Sequence, residues 1–325
     1  MELSVIIPYC NEMPQVAFTA QALVEELEGF CDYEIILVDN LSDPIVTCKA
    51  GEREFPIRSR TYFNSPKGPM NTWLFRTGRI KNFIYDDKKG HWNAKNYGIA
   101  NSTGKYLFFL DAHCIMKRDS LRKMIRHARY LDTTEPWGGL HAYINYMLDS
   151  HSLEYKVQKK IFDYQFCSKQ PGPDKPYKVC VMSTCGMMSP RSVFDELGAW
   201  HPLFGIYGGG ESYINWKQST CGYHHWIHNE AECWHYAEKR GYSWNYTDFV
   251  QNSFIAAYVV GGDKFLNEQA ELRKEKDKSA LIDQLVANVK KECGAERELI
   301  KSKQVETFEQ YINRWEANPG TWGNK

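Results

Sequence analysis

Asp111 and His113 stand two residues apart, directly after the apolar and aromatic run Tyr106 to Leu110. A carboxylate and an imidazole at the carboxyl end of a buried strand suit a divalent cation of the Mn²⁺ kind, held beside a phosphate. Alternation along an extended chain would turn both side chains to one face. The plain alternative is a strand that ends in a polar turn. A second group, Cys221, His224, His225, His228, Cys233 and His235, is crowded enough for a zinc reading. Against it, His224 and His228 share a strand face that His225 does not. Glu211 follows Gly208-Gly-Gly210 at the expected start of a helix, where free N–H groups and the dipole keep a carboxylate ionised. The glycines would let the backbone approach a ligand and let the turn move.

These residues need elements to position them. Leu3 to Ile7 reads as a buried strand stopped by Pro8, and Glu34 to Val38 as a second that ends on Asp39-Asn40. Between them, Pro14 suits the first turn of a helix with an apolar stripe of Val16, Ala20, Leu23, Val24 and Leu27, closed by Gly29. Strand, helix, strand at this spacing is a right-handed βαβ unit, and ligands bind beyond the carboxyl ends of such strands. Residues 8–12, 39–40 and 111–113 therefore share one rim. Residues 52–90 are long for one connection and are expected to hold an insertion, with a loop at Ser65–Pro69 and a short strand at Lys81–Tyr85. Helices are expected at Trp92–Ala100, after a capping Asp119, at Leu153–Phe166, at Ser192–Leu197 and at Ser212–Ser219. Strands are expected at Gly139–Met147, Val179–Met182 and Trp226–Trp234, with a loop at Gln170–Pro176. The division is a catalytic unit over 1–262 and a charged helical extension over 263–325. That extension, with Leu281, Ile282, Leu285, Val286 and Val289 as its apolar face, packs on the body or mediates self-association.

The 325 residues can bury a large core, and 40 basic against 40 acidic side chains leave no global field for nucleic acid or membrane. Twenty Tyr and ten Trp offer stacking surfaces for sugar or base as well as core. No apolar run approaches a spanning helix. The ten cysteines form no C-x-x-C pair, and the chain enters a strand straight from Met1. Both features are those expected of a cytoplasmic protein with reduced thiols.

Five motifs in order resemble those of GT-A glycosyltransferases of the family-2-like superfamily. They are Ser4-Val-Ile-Ile-Pro-Tyr-Cys-Asn-Glu12, Ile35-Ile-Leu-Val-Asp-Asn40, Asn93-Ala-Lys-Asn-Tyr-Gly98, Asp111-Ala-His113 and Tyr207-Gly-Gly-Gly-Glu211. In pattern the chain is most similar to the polypeptide N-acetylgalactosaminyltransferases, with Cys221-Gly222 and Cys233-Trp-His235-Tyr236 near their expected places. Lys95 stands for that family's arginine, Tyr207 for its tryptophan, and an extra glycine precedes Glu211. A chain without the family's lectin domain and signal anchor is expected.

The resemblance implies a GT-A mixed α/β sheet flanked by helices, a nucleotide-sugar donor (UDP-linked) and Mn²⁺ or Mg²⁺ on Asp111, His113 and His235. It puts the base against Asp39, with Asn40 and the wall Pro8, Tyr9, Asn11 and Glu12; a turn carboxylate that caps backbone is the alternative for Asp39. Lys95, Arg240 and Tyr242 would meet the phosphates, near Ala112. Thr184, Gly186, Gly209 and Gly210 would line the sugar pocket. Glu211 would bind the donor sugar in a retaining enzyme or act as general base in an inverting one. The acceptor stays open among glycan, protein, lipid carrier and nucleic acid. Arg118, Arg122, Arg126 and Arg129, with Lys117 and Lys123, form either a solvated face or a surface for a polyanion, including a modified nucleic-acid base to be glycosylated.

Overall fold

The computed structural model describes residues 1–50, 52–58, 78–146, 149–158, 163–168, 175–236 and 243–316. The loop expected at Ser65–Pro69, most of that at Gln170–Pro176, and both Arg240 and Tyr242 lie outside them.

Four strands run parallel in the order β5 (Ile80–Ile84), β2 (Tyr33–Asp39), β1 (Leu3–Tyr9), β6 (Tyr106–Phe109). Their alternate residues feed two cores, which is why the strands read as unbroken apolar runs. Leu3, Val5, Ile7, Ile35, Leu37, Phe108 and Leu110 meet α1 (Gln15–Leu27) and α3 (Ser120–Thr134). Ile6, Ile36, Val38, Leu107 and Phe109 face the opposite core. There α2 (His91–Ala100) lies close on β1: a Cβ built on Gly98 would fall 2.5 Å from Ile6 Cγ2.

Beyond β6 the sheet turns antiparallel through β12 (Met187–Pro190) to β8 (Trp137–Tyr146), β9 (Asp149–Gln158) and β10 (Asp163–Ser168). The long β13 (His224–His235) runs parallel to β8 and antiparallel to β7 (Cys114–Met116) and β11 (Tyr177–Val179). A separate hairpin pairs β3 (Ile45–Ala50) with β4 (Arg53–Arg58). It occupies part of the segment expected to hold an insertion.

Two expectations are corrected. Leu153–Phe166 is not a helix but the β9–β10 hairpin, with Tyr155 opposite Phe166 and Val157 opposite Tyr164. The apolar residues Leu153, Tyr155 and Val157 recur at every second position, and cross-strand pairing of that period prevails. Asp119 does occupy the position before α3, but at φ +64° it makes no side-chain cap bond. Glu26 on α1 caps instead, accepting from the backbone N–H of Asp119 at 3.0 Å.

At the C-terminus, α6 (Tyr246–Ala256), a π-helical turn (Ala257–Gly261), α7 (Gly262–Lys274), α8 (Ser279–Lys303) and α9 (Phe308–Glu316) join the body. Ile282, Leu285, Val289, Ile300 and Tyr311 share one core with Trp200, Tyr213 and Trp216. Buried Lys217, on α5 (Gly210–Thr220), reaches Glu296 of α8 at 3.1 Å. The amphipathic face of α8 is thus spent inside the molecule.

Because Gly98 has no room for a side chain, Gly98→Ala should destabilise the protein by about 1–3 kcal/mol. Urea denaturation of the variant against the parent checks this.

Candidate active site

Strand β6 delivers Asp111 to a turn rather than to further extended chain. The N–H of Cys114 closes that turn on the carbonyl of Asp111 at 3.2 Å. Asp111 and His113 therefore converge through a turn, not through strand alternation. Thr19 of α1 pins the turn from below, its hydroxyl donating to the carbonyls of Ala112 (2.7 Å) and Cys114 (3.0 Å). Strand β7 then pairs with β13 so that Cys114 lies opposite His235. This register brings His235 Nε2 to 3.2 Å from His113 Nε2 and 3.6 Å from an Asp111 carboxylate oxygen.

The electrostatics suit a cation. Burial would raise the Asp111 carboxyl, but the His235 hydrogen bond and the charges of Lys95 and His113 hold it far below the usual carboxylate range. Burial would lower His113, yet its bond to Glu12 and the Asp111 charge push it up to about 9. His113 Nδ1 is bound to the Glu12 carboxylate. That bond commits the Nδ1 proton to Glu12, so a cation would bind at Nε2 by displacing the proton there. Asp111, His113, Cys114 and His235 offer ligand atoms within 4.8 Å of one another. One carboxylate with two imidazole nitrogens fits Mn²⁺ better than Mg²⁺, which favours oxygen donors alone.

The structure gives several expected contact residues additional or different tasks. Glu12 orients His113. Asn40 holds the segment before α2: its side chain donates to the carbonyls of Tyr85 and Lys88 and accepts from the Gly90 N–H at 2.7 Å. Asn11, at φ +62°, is fastened to Ser42 and Asp43. Asp39 also caps backbone, accepting from the Ser42 N–H at 3.1 Å. Pro8 and Tyr9 end β1 beside it, with the Tyr9 hydroxyl on Asn82 at 3.0 Å.

On the far side of Asp111, Lys95 is buried at 1% exposure among Trp92, Trp200 and Phe109. Its ammonium donates to Thr184 Oγ1 at 2.9 Å, and Thr184 stands 3.5 Å from the Glu211 carboxylate. A lysine so enclosed acts through Thr184 and its field on Asp111. Gly186 completes this wall, its N–H donating to the Phe109 carbonyl at 2.8 Å. Glu211 lies in the first turn of α5, as expected.

The glycine run before Glu211 is packed, not free to move. A Cβ at Gly208 would sit 2.3 Å from the Phe249 ring, at Gly209 2.7 Å from the Asn252 backbone, and at Gly210 2.4 Å from Trp92. Buried Asn252 on α6 binds the whole turn: it accepts from the Gly205 N–H and donates to the carbonyls of Gly205, Tyr207 and Gly208. Asp248 adds a bond from the Ile206 N–H. Sequence reasoning missed both residues. The one available signal was Asn245-Tyr-Thr-Asp248, an N-cap pattern realised by the Asp248 N–H on the Asn245 side chain at 2.6 Å.

The zinc set does not converge. His225 is buried on Ser219 and Gln218, and His228 lies against His127. Among the described residues, Cys233 instead groups with Cys114 and Cys185. The basic stripe lies along the surface: Arg122, Arg126 and Arg129 surround the Phe30 ring, Arg129 pairs with Glu2, and Arg118, Arg126 and Arg129 are exposed. Lys117 and Lys123 pair with Glu232 and Glu230. Its charge is largely compensated, which favours a solvated face.

Known proteins are similar to this chain in sequence and in fold. The sequence profile of Glycosyl transferase family 2 matches residues 75–198. Polypeptide N-acetylgalactosaminyltransferase 5 of Caenorhabditis elegans is 23% identical over 238 residues, covering 67% of this chain and 34% of that protein. The chain thus spans about a third of that relative's length. GalNAc-T7, crystallised with UDP, GalNAc and Mn²⁺, superposes with a TM-score of 0.71 at 14% identity, covering 99% of this chain and 57% of that one. Staphylococcus aureus TarS with UDP-GlcNAc gives 0.53 at 12% identity, covering 96% and 79%. The chain thus has the GT-A fold of these structures, and its residues 75–198 are similar to Glycosyl transferase family 2. Within that class it resembles the polypeptide N-acetylgalactosaminyltransferases.

Loss of the Asn252 side chain would leave buried backbone groups of the turn unpaired, so Asn252→Ala should cost about 2–4 kcal/mol. Guanidinium denaturation of the variant measures it.

Proposed function

We propose that the protein transfers a glycosyl group from a UDP-sugar to an acceptor hydroxyl with the help of Mn²⁺, retaining the anomeric configuration. The observation that carries this reading is the convergence of Asp111, His113 and His235 at the carboxyl end of the central strand. Bound there, the metal would supply Lewis-acid neutralisation of the departing diphosphate. Glu12 holds His113 in the ligating tautomer, and Lys95 adds positive potential behind Asp111. Asp39, which also caps the Ser42 N–H, would receive the base at the carboxyl end of β2. In the transfer, the bond from the anomeric carbon to the diphosphate breaks with its electron pair leaving on UDP. The acceptor oxygen bonds to the anomeric carbon on the face the diphosphate leaves, and its proton passes to the departing diphosphate oxygen.

Glu211 binds the donor sugar in this reading. Its approach to Thr184, itself held by Lys95, suits a fixed acceptor for sugar hydroxyls. The ligands carried by GalNAc-T7 and TarS, UDP with GalNAc and Mn²⁺ in one and UDP-GlcNAc in the other, support a UDP-linked donor and a divalent metal. No described helix is long and apolar enough to cross a membrane. Cys10, Cys31, Cys114, Cys180, Cys185, Cys221, Cys233 and Cys293 are free thiols, which supports the cytoplasm as the place of action.

The proposal is tested by screening sugar nucleotides for metal-dependent turnover. At least one UDP-sugar should be consumed with Mn²⁺ and spared with chelator; equal rates in both would refute the metal's role. Glu12→Gln should weaken Mn²⁺ binding by roughly 10–100-fold while the fold persists, read by calorimetry. Glu211→Gln should weaken the UDP-sugar by roughly 10–100-fold, as expected for one charged hydrogen bond, and leave UDP itself almost unchanged. An inverted anomer in the NMR spectrum of the product would instead make Glu211 the base.

A further inference from the structure

Three thiols meet beneath the turn that carries Asp111 and His113. Cys114 opens β7, Cys233 lies on β13, and Cys185 sits in the turn before β12. They are 0%, 0% and 5% exposed. Their sulfur atoms lie within 4.8 Å of one another, with Cys114 and Cys185 at 3.3 Å. Three chain segments far apart in sequence thus deliver one thiol each to a single closed point.

Packing alone gives little reason for this convergence. Thiols are weak donors and weak acceptors, so the three gain little from one another. The surroundings nevertheless fix them. The Cys185 carbonyl is bound by buried His141 at 2.6 Å, and the Cys185 N–H donates to Ser183 Oγ at 3.0 Å. Gly186, at φ +80°, turns the chain directly after Cys185. Ions bound by thiolates at ~2.3 Å hold their sulfurs roughly 3.8–4.0 Å apart, inside the spread observed here. All three donors are soft, and the point is closed to water, so hard oxygen-seeking ions are disfavoured.

We propose that Cys114, Cys185 and Cys233 form a second metal site, adjoining Asp111, His113 and His235 at Cys114, for a thiophilic d¹⁰ cation, Zn²⁺ or Cu⁺. Three S–H protons leave to solvent as three metal–sulfur bonds form, and no electrons are transferred. The ion would tie β7, β13 and the Ser183–Gly186 turn together. Those are the segments that carry His113, His235 and Thr184, so the site is structural. It does not depend on glycosyl transfer being the activity.

The test uses the whole protein, stripped of metal under reductant and titrated with Co²⁺ as a spectroscopic probe. A thiolate-to-cobalt charge-transfer band in the near ultraviolet should saturate at one equivalent. Cys185→Ser and Cys233→Ser should each lose it, while His113→Ala and His235→Ala keep it. Displacement of cobalt by Zn²⁺ assigns the site to zinc; displacement by Cu⁺ where Zn²⁺ fails assigns it to copper. Should a variant not fold, the wild-type protein decides alone: bound Zn²⁺ or Cu⁺ should shield three thiols from alkylation, located by peptide mass mapping at 114, 185 and 233. No band in folded wild-type protein, a band that survives both serine variants, or a Cys114–Cys185 disulfide in protein made under reducing conditions would overturn the proposal.

Discussion

The candidate site depends on the short antiparallel pairing of β7 with β13. Only three residues of β7 take part, yet their register puts His235 opposite Cys114 and so beside His113. Sliding β13 by one residue would turn His235 to the other face of the sheet. The long parallel union of β13 with β8 guards against that slip, since it fixes β13 along nearly its whole length. The geometry of the three proposed ligands is thus set by a strand ladder, a rigid support.

Around that ladder, polar groups are spent on position. Thr19 holds the turn after Asp111, Glu12 holds the His113 ring, and Asn40 holds the approach to α2. Asn252 holds the turn that presents Glu211. In each case a buried donor or acceptor binds backbone or ring nitrogen across a long stretch of sequence. Removing one strands its partner, and this asymmetry makes the network stiff. The C-terminal helices take part as well, because Asn252 and Asp248 on α6 are what the glycine turn packs against.

Much of this was legible in the sequence. The apolar runs over β1, β2 and β6 give the strands, their two-sided burial and the rim, although β1 is not stopped by Pro8 but pairs on to Tyr9. Gly98 follows from its place in the Asn93–Gly98 motif, and the structure adds the reason, its close approach to Ile6. Asp111 and His113 were found for a reason that does not hold, since a turn and not strand alternation brings them together. His235 was reachable only through resemblance, because its contact spans more than a hundred residues of chain and no local period announces it. The same is true of Cys114, Cys185 and Cys233, whose convergence is purely tertiary. The glycines before Glu211 were misread as mobile because the sequence shows their freedom and not the ring of Phe249 or the indole of Trp92 that fills the space.

The central claim is that one carboxylate and two histidines, His113 and His235, hold a single divalent ion. Pulsed electron paramagnetic resonance of the protein with Mn²⁺ and UDP addresses it directly. The account predicts hyperfine couplings from two imidazole nitrogens at the manganese, with one set lost in each of the His113→Ala and His235→Ala variants. A bound Mn²⁺ signal without nitrogen coupling, or one unchanged in both variants, would contradict it.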